Sequence, residues 1–248
     1  MSTTLYLGCV IKALYPEVEK AVKDVLSRMG IEFEEPKDAS CCAPLGFFSL
    51  NRYAWLRLNE RNMRLFQDTV VTACDDCFAS LSDAFKTISE KKGVKALEVK
   101  PFGKFMLENL ESRRLRFSFK GLRCAVQHSC HFLRPSRGMD DAENPRVVKN
   151  VLEKLGYVPT SYDGELDCCG GLVFEERVGE MLARRKAEAL EKSGADCVVS
   201  TCSHCMRQLR TVSRIPVLHL AQLSALSMGA NPEEIGVPDM LLRRMVKP

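Results

Sequence analysis

The sequence predicts an α/β fold of two tandem, pseudo-twofold-related units, each a largely parallel sheet flanked by helices. Three observations predict it. Strand-like and helix-like segments alternate along the chain, as parallel sheets with crossover helices require. One order of cysteines occurs twice. The 248 residues, 46% of them hydrophobic, suffice for two units of about 100–130 residues each.

In the first half, Thr3 to Leu7 reads as a buried strand running into Cys9. Glu17 to Met29 carries Val18, Val22, Val25, Leu26 and Met29 at helical spacing, with Gly30 placed to stop it. Ile31 to Phe33 reads as a short alternating strand, and Leu50 to Phe66 as a second helix. Thr69 to Thr72 is a β-rich strand that delivers Cys74 and Cys77 to the start of a helix with Leu81 and Phe85; another short strand lies near Val99. The second half repeats these events. Leu122 to Gln127 is a strand ending before Cys130. Asn144-Pro145 has the residue types of an N-cap and first turn, for a helix running to Leu155 and Gly156. Glu175 to Lys192 is a long helix, Asp196 to Ser200 a strand feeding Cys202 and Cys205, and Val217 to Leu220 the last strand. The boundary falls in the segment from Ser112 to Gly121, dividing the chain into 1–115 and 116–248.

Composition narrows the function. Disorder is excluded by the apolar content, and collagen-like or low-complexity classes by 15 Gly and 11 Pro without a period. The net charge of +4 comes from interspersed acids and bases, which is no nucleic-acid footprint. Met1 to Gly8 lacks the basic and apolar regions of an export signal. The longest uncharged run, Ile215 to Pro232, holds Pro216, Gly229 and several polar residues, a poor match to the roughly 20 apolar residues of a spanning helix. A cytoplasmic protein without a transmembrane segment is expected, where thiols stay reduced. The 12 cysteines then point to metal or redox chemistry instead of disulfides.

Ten of those cysteines form two sets with one grammar: a lone Cys, a Cys-Cys pair and a C-x-x-C. The first is Cys9, Cys41, Cys42, Cys74 and Cys77; the second is Cys130, Cys168, Cys169, Cys202 and Cys205. In parallel α/β sheets, sites form at the carboxyl ends of the strands, where Cys9, Cys74, Cys77, Cys130, Cys202 and Cys205 are expected. A structural zinc site needs four ligands, and each set offers five, which favours an iron–sulfur core over zinc; zinc in one site is the alternative. Cys124 and Cys197 stand outside the grammar, in expected buried strands, and read as small hydrophobes. His128, His131 and His204 flank cysteines of the second set and either deliver protons or tune cluster sulfur. His219, in an apolar run, reads as a core residue. Arg134 and Arg207 either attract an anionic substrate or face solvent, and the basic segment Arg113, Arg114, Arg116, Lys120 and Arg123 reads as a solvated linker or a docking patch. A flavin or nicotinamide G-x-G-x-x-G is absent, as is a ferredoxin C-x-x-C-x-x-C run. Electrons must then come from another polypeptide.

The chain resembles the heterodisulfide reductase B-subunit family, cysteine-rich iron–sulfur proteins with CCG domains. The resemblance covers nearly its whole length. It rests on Ser40-Cys41-Cys42-Ala43-Pro44, the helix with Trp55-Leu56 and Arg61-Asn62, and Thr72 to Cys77. In the second half it rests on His128-Ser129-Cys130-His131, Glu143-Asn144-Pro145, Cys168-Cys169-Gly170-Gly171, and Val217 through Gly236. The resemblance implies two non-cubane [4Fe-4S] clusters, each held by one set of five cysteines. It also implies reductive cleavage of a disulfide, such as that of coenzyme M and coenzyme B, between them. The implied partners are the ferredoxin-like and flavoprotein subunits of the same complex. Other relatives are CCG electron-transfer subunits of succinate- or glycolate-type oxidoreductases, or parts of sulfur-oxidising complexes. This sequence departs from the family in two respects. The Cys42–Cys74 and Cys169–Cys202 gaps are a few residues short, and the first pair reads Cys-Cys-Ala-Pro without the glycine.

Overall fold

The computed structural model describes residues 2–95, 97–111, 114–119, 121–134 and 139–243. Two parallel sheets form the frame. The first, in the order β1-β2-β3, joins Thr3–Tyr6, Thr69–Thr72 and Glu98–Pro101. The second, in the order β5-β4-β6-β7, joins Val158–Thr160, Arg123–Gln127, Cys197–Ser200 and Val217–His219. Strands β1, β2 and β3 thus have counterparts in β4, β6 and β7. Thr3 pairs with Thr69 in the first sheet as Cys124 pairs with Cys197 in the second. The β-branched run Thr69–Thr72 is buried throughout, as a central parallel strand covered on both faces should be.

The expected strand at Ile31–Phe33 is reduced to a single bridge between Thr4 and Glu34. Glu34 N–H donates to the Thr3 carbonyl at 2.9 Å and its carbonyl accepts from Leu5 N–H at 2.8 Å. The next rung would fall on Pro36, which has no N–H to give. This bridge lies where β5 lies in the second half. The second half was free to extend it.

Two helices also differ from expectation. The single helix expected over Leu50–Phe66 is two, α3 (Leu45–Leu50) and α4 (Arg52–Met63). Asn51 breaks them because its side chain caps α4, accepting from Ala54 N–H at 2.9 Å. In the second half Asn144-Pro145 is not the helix start. Asp140 takes the N–H groups of Arg146 and Val147 at 3.0 and 2.7 Å, so α8 begins at Val147 and ends at Lys154.

The remaining helices are α1 (Cys9–Leu14), α2 (Pro16–Arg28), α5 (Asp75–Lys92), α6 (Phe102–Asn109), α7 (Cys130–Leu133), α9 (Glu176–Lys192), α10 (Ser203–Arg210), α11 (Leu220–Ser227) and α12 (Asp239–Leu242). The uncharged run at 215–232 holds α11, which is buried along its whole length and packs on α2 of the first half. Its lack of charge reflects that burial. Among the described residues no helix is long and apolar enough to cross a membrane. Both halves contribute to one continuous apolar core. Of the basic segment, Arg114 donates to the Arg28 carbonyl at 3.1 Å and Arg123 to the Ser193 carbonyl at 2.9 Å, so both join segments of the fold. Ser112, Arg113 and Lys120 lie outside the described residues.

His219 is the buried core residue that its apolar run predicts. Its Nε2–H donates to the Ala73 carbonyl at 2.9 Å, and its Nδ1 accepts from Ala221 N–H at 3.1 Å. Both partners fit the neutral ring; a second proton on Nδ1 would meet the Ala221 N–H. Burial pushes its pKa down to about 4. The unfolded chain therefore binds more protons between pH 4 and 6.5, and stability falls as pH drops through that window, by on the order of 3 kcal/mol from this residue. The stability difference between wild type and His219→Gln should be constant above pH 6.5 and shift against the wild type as the pH falls from 6.5 to about 4. Parallel profiles would show that His219 carries no such linkage.

Candidate functional site

All ten cysteines of the two sets lie beyond the carboxyl ends of the parallel strands or on the loops facing them. Cys9 opens α1 three residues after the end of β1, and Cys130 opens α7 three residues after the end of β4. Cys74 and Cys202, both extended, are the N-caps of α5 and α10. Helix N-termini favour the thiolate forms that bind metal.

In the first set, Cys9 Sγ lies 3.5 Å from Cys41 Sγ, and Cys42 Sγ lies 3.4 Å from Cys77 Sγ. Gly8 makes room for this. A Cβ there would stand 2.7 Å from Cys77 Sγ. Helix α4 clamps the Cys-Cys loop. Asn62 Oδ1 accepts from Ser40 N–H at 2.7 Å, and Asn59 Nδ2 donates to the Cys42 carbonyl at 2.9 Å. Trp55 Nε1 donates to Ser80 Oγ at 2.8 Å; that hydroxyl reaches the Cys42 and Ala43 carbonyls at 2.6 and 2.7 Å. Trp55 and Asn62, two of the motif residues on this helix, thus serve to hold the cysteine loop.

In the second set, Cys169 Sγ lies 3.1 Å from Cys205 Sγ, and Gly170 N–H donates to Cys168 Sγ at 3.3 Å. Here the loop is held by α9. Gly170, at φ 79°, passes so close that a Cβ would sit 2.2 Å from the Gly179 carbonyl oxygen. Its counterpart Ala43 has φ 48° and is the one non-glycine at positive φ among the described residues. The sequence departure is therefore a change of side chain on the same left-handed turn, at a cost of roughly 1–2 kcal/mol.

The two C-x-x-C turns abut. Asp75 N–H donates to the Thr201 carbonyl at 3.1 Å, and Thr201 Oγ1 to Asp75 Oδ2 at 2.5 Å. Ser203 N–H donates to Cys74 Sγ at 3.4 Å, and Ser203 Oγ lies 3.0 Å from the same sulfur. Asp76 occupies the position in its turn that His204 occupies in the other. It is 3% exposed, hydrogen-bonds His131 Nδ1, and lies 3.7 Å from His204 Nε2 and 3.6 Å from Cys202 Sγ. Ligand atoms of Cys74, Asp76 and Cys202 fall within 4.8 Å of one another. His128 stands apart from this group. Its Nε2 meets Glu165 Oε1 at 3.0 Å, and the same oxygen takes Lys149 Nζ at 2.6 Å.

Sequence reasoning missed Asp76, Ser203 and Glu165. The first two are the inner residues of the C-x-x-C motifs, where the halves differ, and that difference was the available signal. Glu165 had none. Arg134 is paired with Glu143 at 2.5 Å and Arg207 is exposed. Cys124 and Cys197 are fully buried, as expected of small hydrophobes, and lie side by side with Sγ atoms 3.6 Å apart.

The thiols share protons with one another, so that Cys41, Cys74, Cys168 and Cys205 are lowered while Cys42, Cys77, Cys169 and Cys202 are raised. Hydrogen bonds from Cys42 and Cys9 pull Cys41 down to about 2, and those from Cys130 and Cys169 pull Cys168 down to about 2. Cys205 is lowered to about 5, chiefly by Cys169. The donors Cys9 and Cys130 are pushed up, because each keeps its proton against a neighbouring thiolate. A metal replaces the shared protons. Five converging sulfurs per half, on helix N-termini and clamped loops, fit an iron–sulfur cluster.

Residues 3–82 and 124–210 match the model of the cysteine-rich CCG domain family. The chain is 30% identical to the B subunit of the ferredoxin:CoB-CoM heterodisulfide reductase of Methanosarcina mazei, over 94% of this chain and 91% of that one. It is 26% identical to the 8-methylmenaquinol:fumarate reductase membrane anchor subunit of Wolinella succinogenes, over 93% of each. A crystal structure of a hypothetical protein from Helicobacter pylori shares the fold, with a TM-score of 0.71 at 14% identity, over 95% of this chain and 50% of that one.

Relieving the left-handed alanine should help, and crowding its counterpart should not. Ala43→Gly is expected to stabilise the protein by up to about 1 kcal/mol, and Gly170→Ala to destabilise it by more than about 2 kcal/mol. Anaerobic chemical denaturation measures both. Equal losses in the two variants would refute strain at Ala43.

Proposed function

Because the chain belongs to the cysteine-rich CCG domain family, we propose that it is the iron–sulfur subunit of a heterodisulfide-reductase-type complex. In this reading it cleaves a disulfide reductively between two non-cubane [4Fe-4S] clusters. The observation that carries it is the convergence of two complete five-cysteine sets on C-x-x-C turns that touch. Cys9, Cys41, Cys42, Cys74 and Cys77 hold one cluster, and Cys130, Cys168, Cys169, Cys202 and Cys205 the other, with the halves divided between residues 115 and 116. The identity to the B subunit of a heterodisulfide reductase over 94% of the chain supports the assignment.

Cleavage consumes two electrons and two protons and yields two thiols. The clusters, when bound, supply the electrons and stabilise the separating sulfurs as thiolates. The cysteines hold them at fixed positions through clamped loops. Protons are delivered by imidazole, with His131 Nδ1 sharing a proton with Asp76 Oδ1 and His204 set against the other oxygen. His128, tied to Glu165, is a separate proton carrier of the second half. A ferredoxin-like partner, fed by the flavoprotein of the same complex, brings the electrons in the cytoplasm; the substrate is a disulfide of the coenzyme M–coenzyme B kind. A second reading, an electron-transfer protein that binds no thiol, is favoured by the identity to part of a fumarate reductase.

Two measurements test this. Anaerobically prepared protein should contain iron and two paramagnetic signals, with Cys42→Ser abolishing one and Cys169→Ser the other; unchanged iron in either variant counts against the ligand assignment. Product thiol added to the oxidised protein should change the resonance spectrum, and an unaltered spectrum would select the electron-transfer reading.

A further inference from the structure

The duplication is not symmetric where the two halves touch. Cys74 and Cys202 are equivalent ligands, each followed by the first residue of a helix, Asp75 in α5 and Ser203 in α10. That residue has a backbone N–H with no partner inside its own helix, and the pseudo-twofold aims it at the other half. Ser203 uses both of its donors on the opposite cysteine. Its N–H reaches Cys74 Sγ at 3.4 Å, and its hydroxyl lies 3.0 Å from the same sulfur. With Cys74 as a thiolate ligand the sulfur has no proton, so the hydroxyl is the donor. Asp75 does not return the favour. Its N–H goes to the Thr201 carbonyl at 3.1 Å, and its carboxyl group accepts from Thr201 Oγ1 at 2.5 Å. Among the described residues Cys202 receives no such donor; it faces Asp76 Oδ2 at 3.6 Å, a carboxyl group that also stands within 4.8 Å of Cys74.

Hydrogen bonds donated to a ligand sulfur favour the reduced, more negative cluster, and carboxylate oxygens disfavour it. Ser203 is 2% exposed and Cys74 1%, so water does not screen or substitute for these donors. The donors of Ser203 therefore act on Cys74 alone.

We propose that Ser203 is a positioning residue of the second half that raises the reduction potential of the first-half centre through Cys74. A cluster held by the first set would then be the easier of the two to reduce. This rests on the cluster assignment above. It adds an order of filling that sequence equivalence of the two sets would not give.

Redox titration of the holoprotein, followed by electron paramagnetic resonance, tests it. The signal that Cys42→Ser abolishes marks the first-half centre. In the wild type that signal should titrate at the more positive potential, and the reverse order overturns the proposal without any variant at Ser203. In Ser203→Ala its midpoint should fall by about a tenfold change in the one-electron reduction equilibrium, 59 mV, with the second-half signal moving less. Ser203→Thr keeps the hydroxyl and should restore the wild-type midpoint. Unchanged midpoints in iron-replete Ser203→Ala, or equal shifts at both centres, refute the role of Ser203 and leave the cluster assignment intact. Wild-type protein without iron overturns both.

Discussion

The contact between the two C-x-x-C turns is the constraint on which the site depends. Asp75 and Thr201 are joined by two hydrogen bonds, and Ser203 reaches Cys74 across the same junction. His219 ties the end of β7 to Ala73 just upstream. These groups are buried, so each needs its partner; leaving one unpaired costs about 1–3 kcal/mol. The halves are thereby held with the amino ends of α5 and α10 close together. Each cysteine set is assembled within its own half, and this junction brings the two sets side by side.

Around that junction the two halves solve one problem by different means. A Cys-Cys pair must turn sharply enough for both sulfurs to face one centre, which places the next residue in the left-handed region. In the second half, α9 passes against the turn and glycine is the residue that fits beneath the Gly179 carbonyl. In the first half, α4 clamps the loop through side chains, with Asn59 and Asn62 on the carbonyls and amides near the cysteines. The loop there is held by side chains, and its left-handed position carries a buried alanine. The glycine in the motif name is thus a requirement of helix packing as well as of backbone conformation.

Divergence also separates the chemistry of the halves. The first contributes the acids Asp75 and Asp76, and the second contributes Ser203, His204 and His131. Asp76 draws both histidines together, leaving the titratable groups shared between halves while the cysteines remain divided. A second chain, in which Glu165 joins the buried Lys149 and His128, belongs to the second half alone.

Much of this was legible in the amino-acid order. Alternating apolar segments determined the parallel α/β class, since buried parallel strands must be apolar on both faces, and the recurring cysteines marked the duplication. Local errors had local causes: Asn51 and Asp140 cap helices through side-chain bonds that hydropathy does not register, and Pro36 removes the donor for the next rung of a ladder. What the sequence by itself determined was the chemistry of the two cysteine sets, because thiol spacing and residue type are properties of the chain. Only the tertiary structure decided which groups meet across the halves: that Asp76 gathers His131 and His204, and that Ser203 serves Cys74 while Asp75 turns to Thr201. Those contacts join residues separated by up to 129 positions, and no periodicity or local preference encodes a hydrogen bond whose partners are brought together by the packing of two sheets.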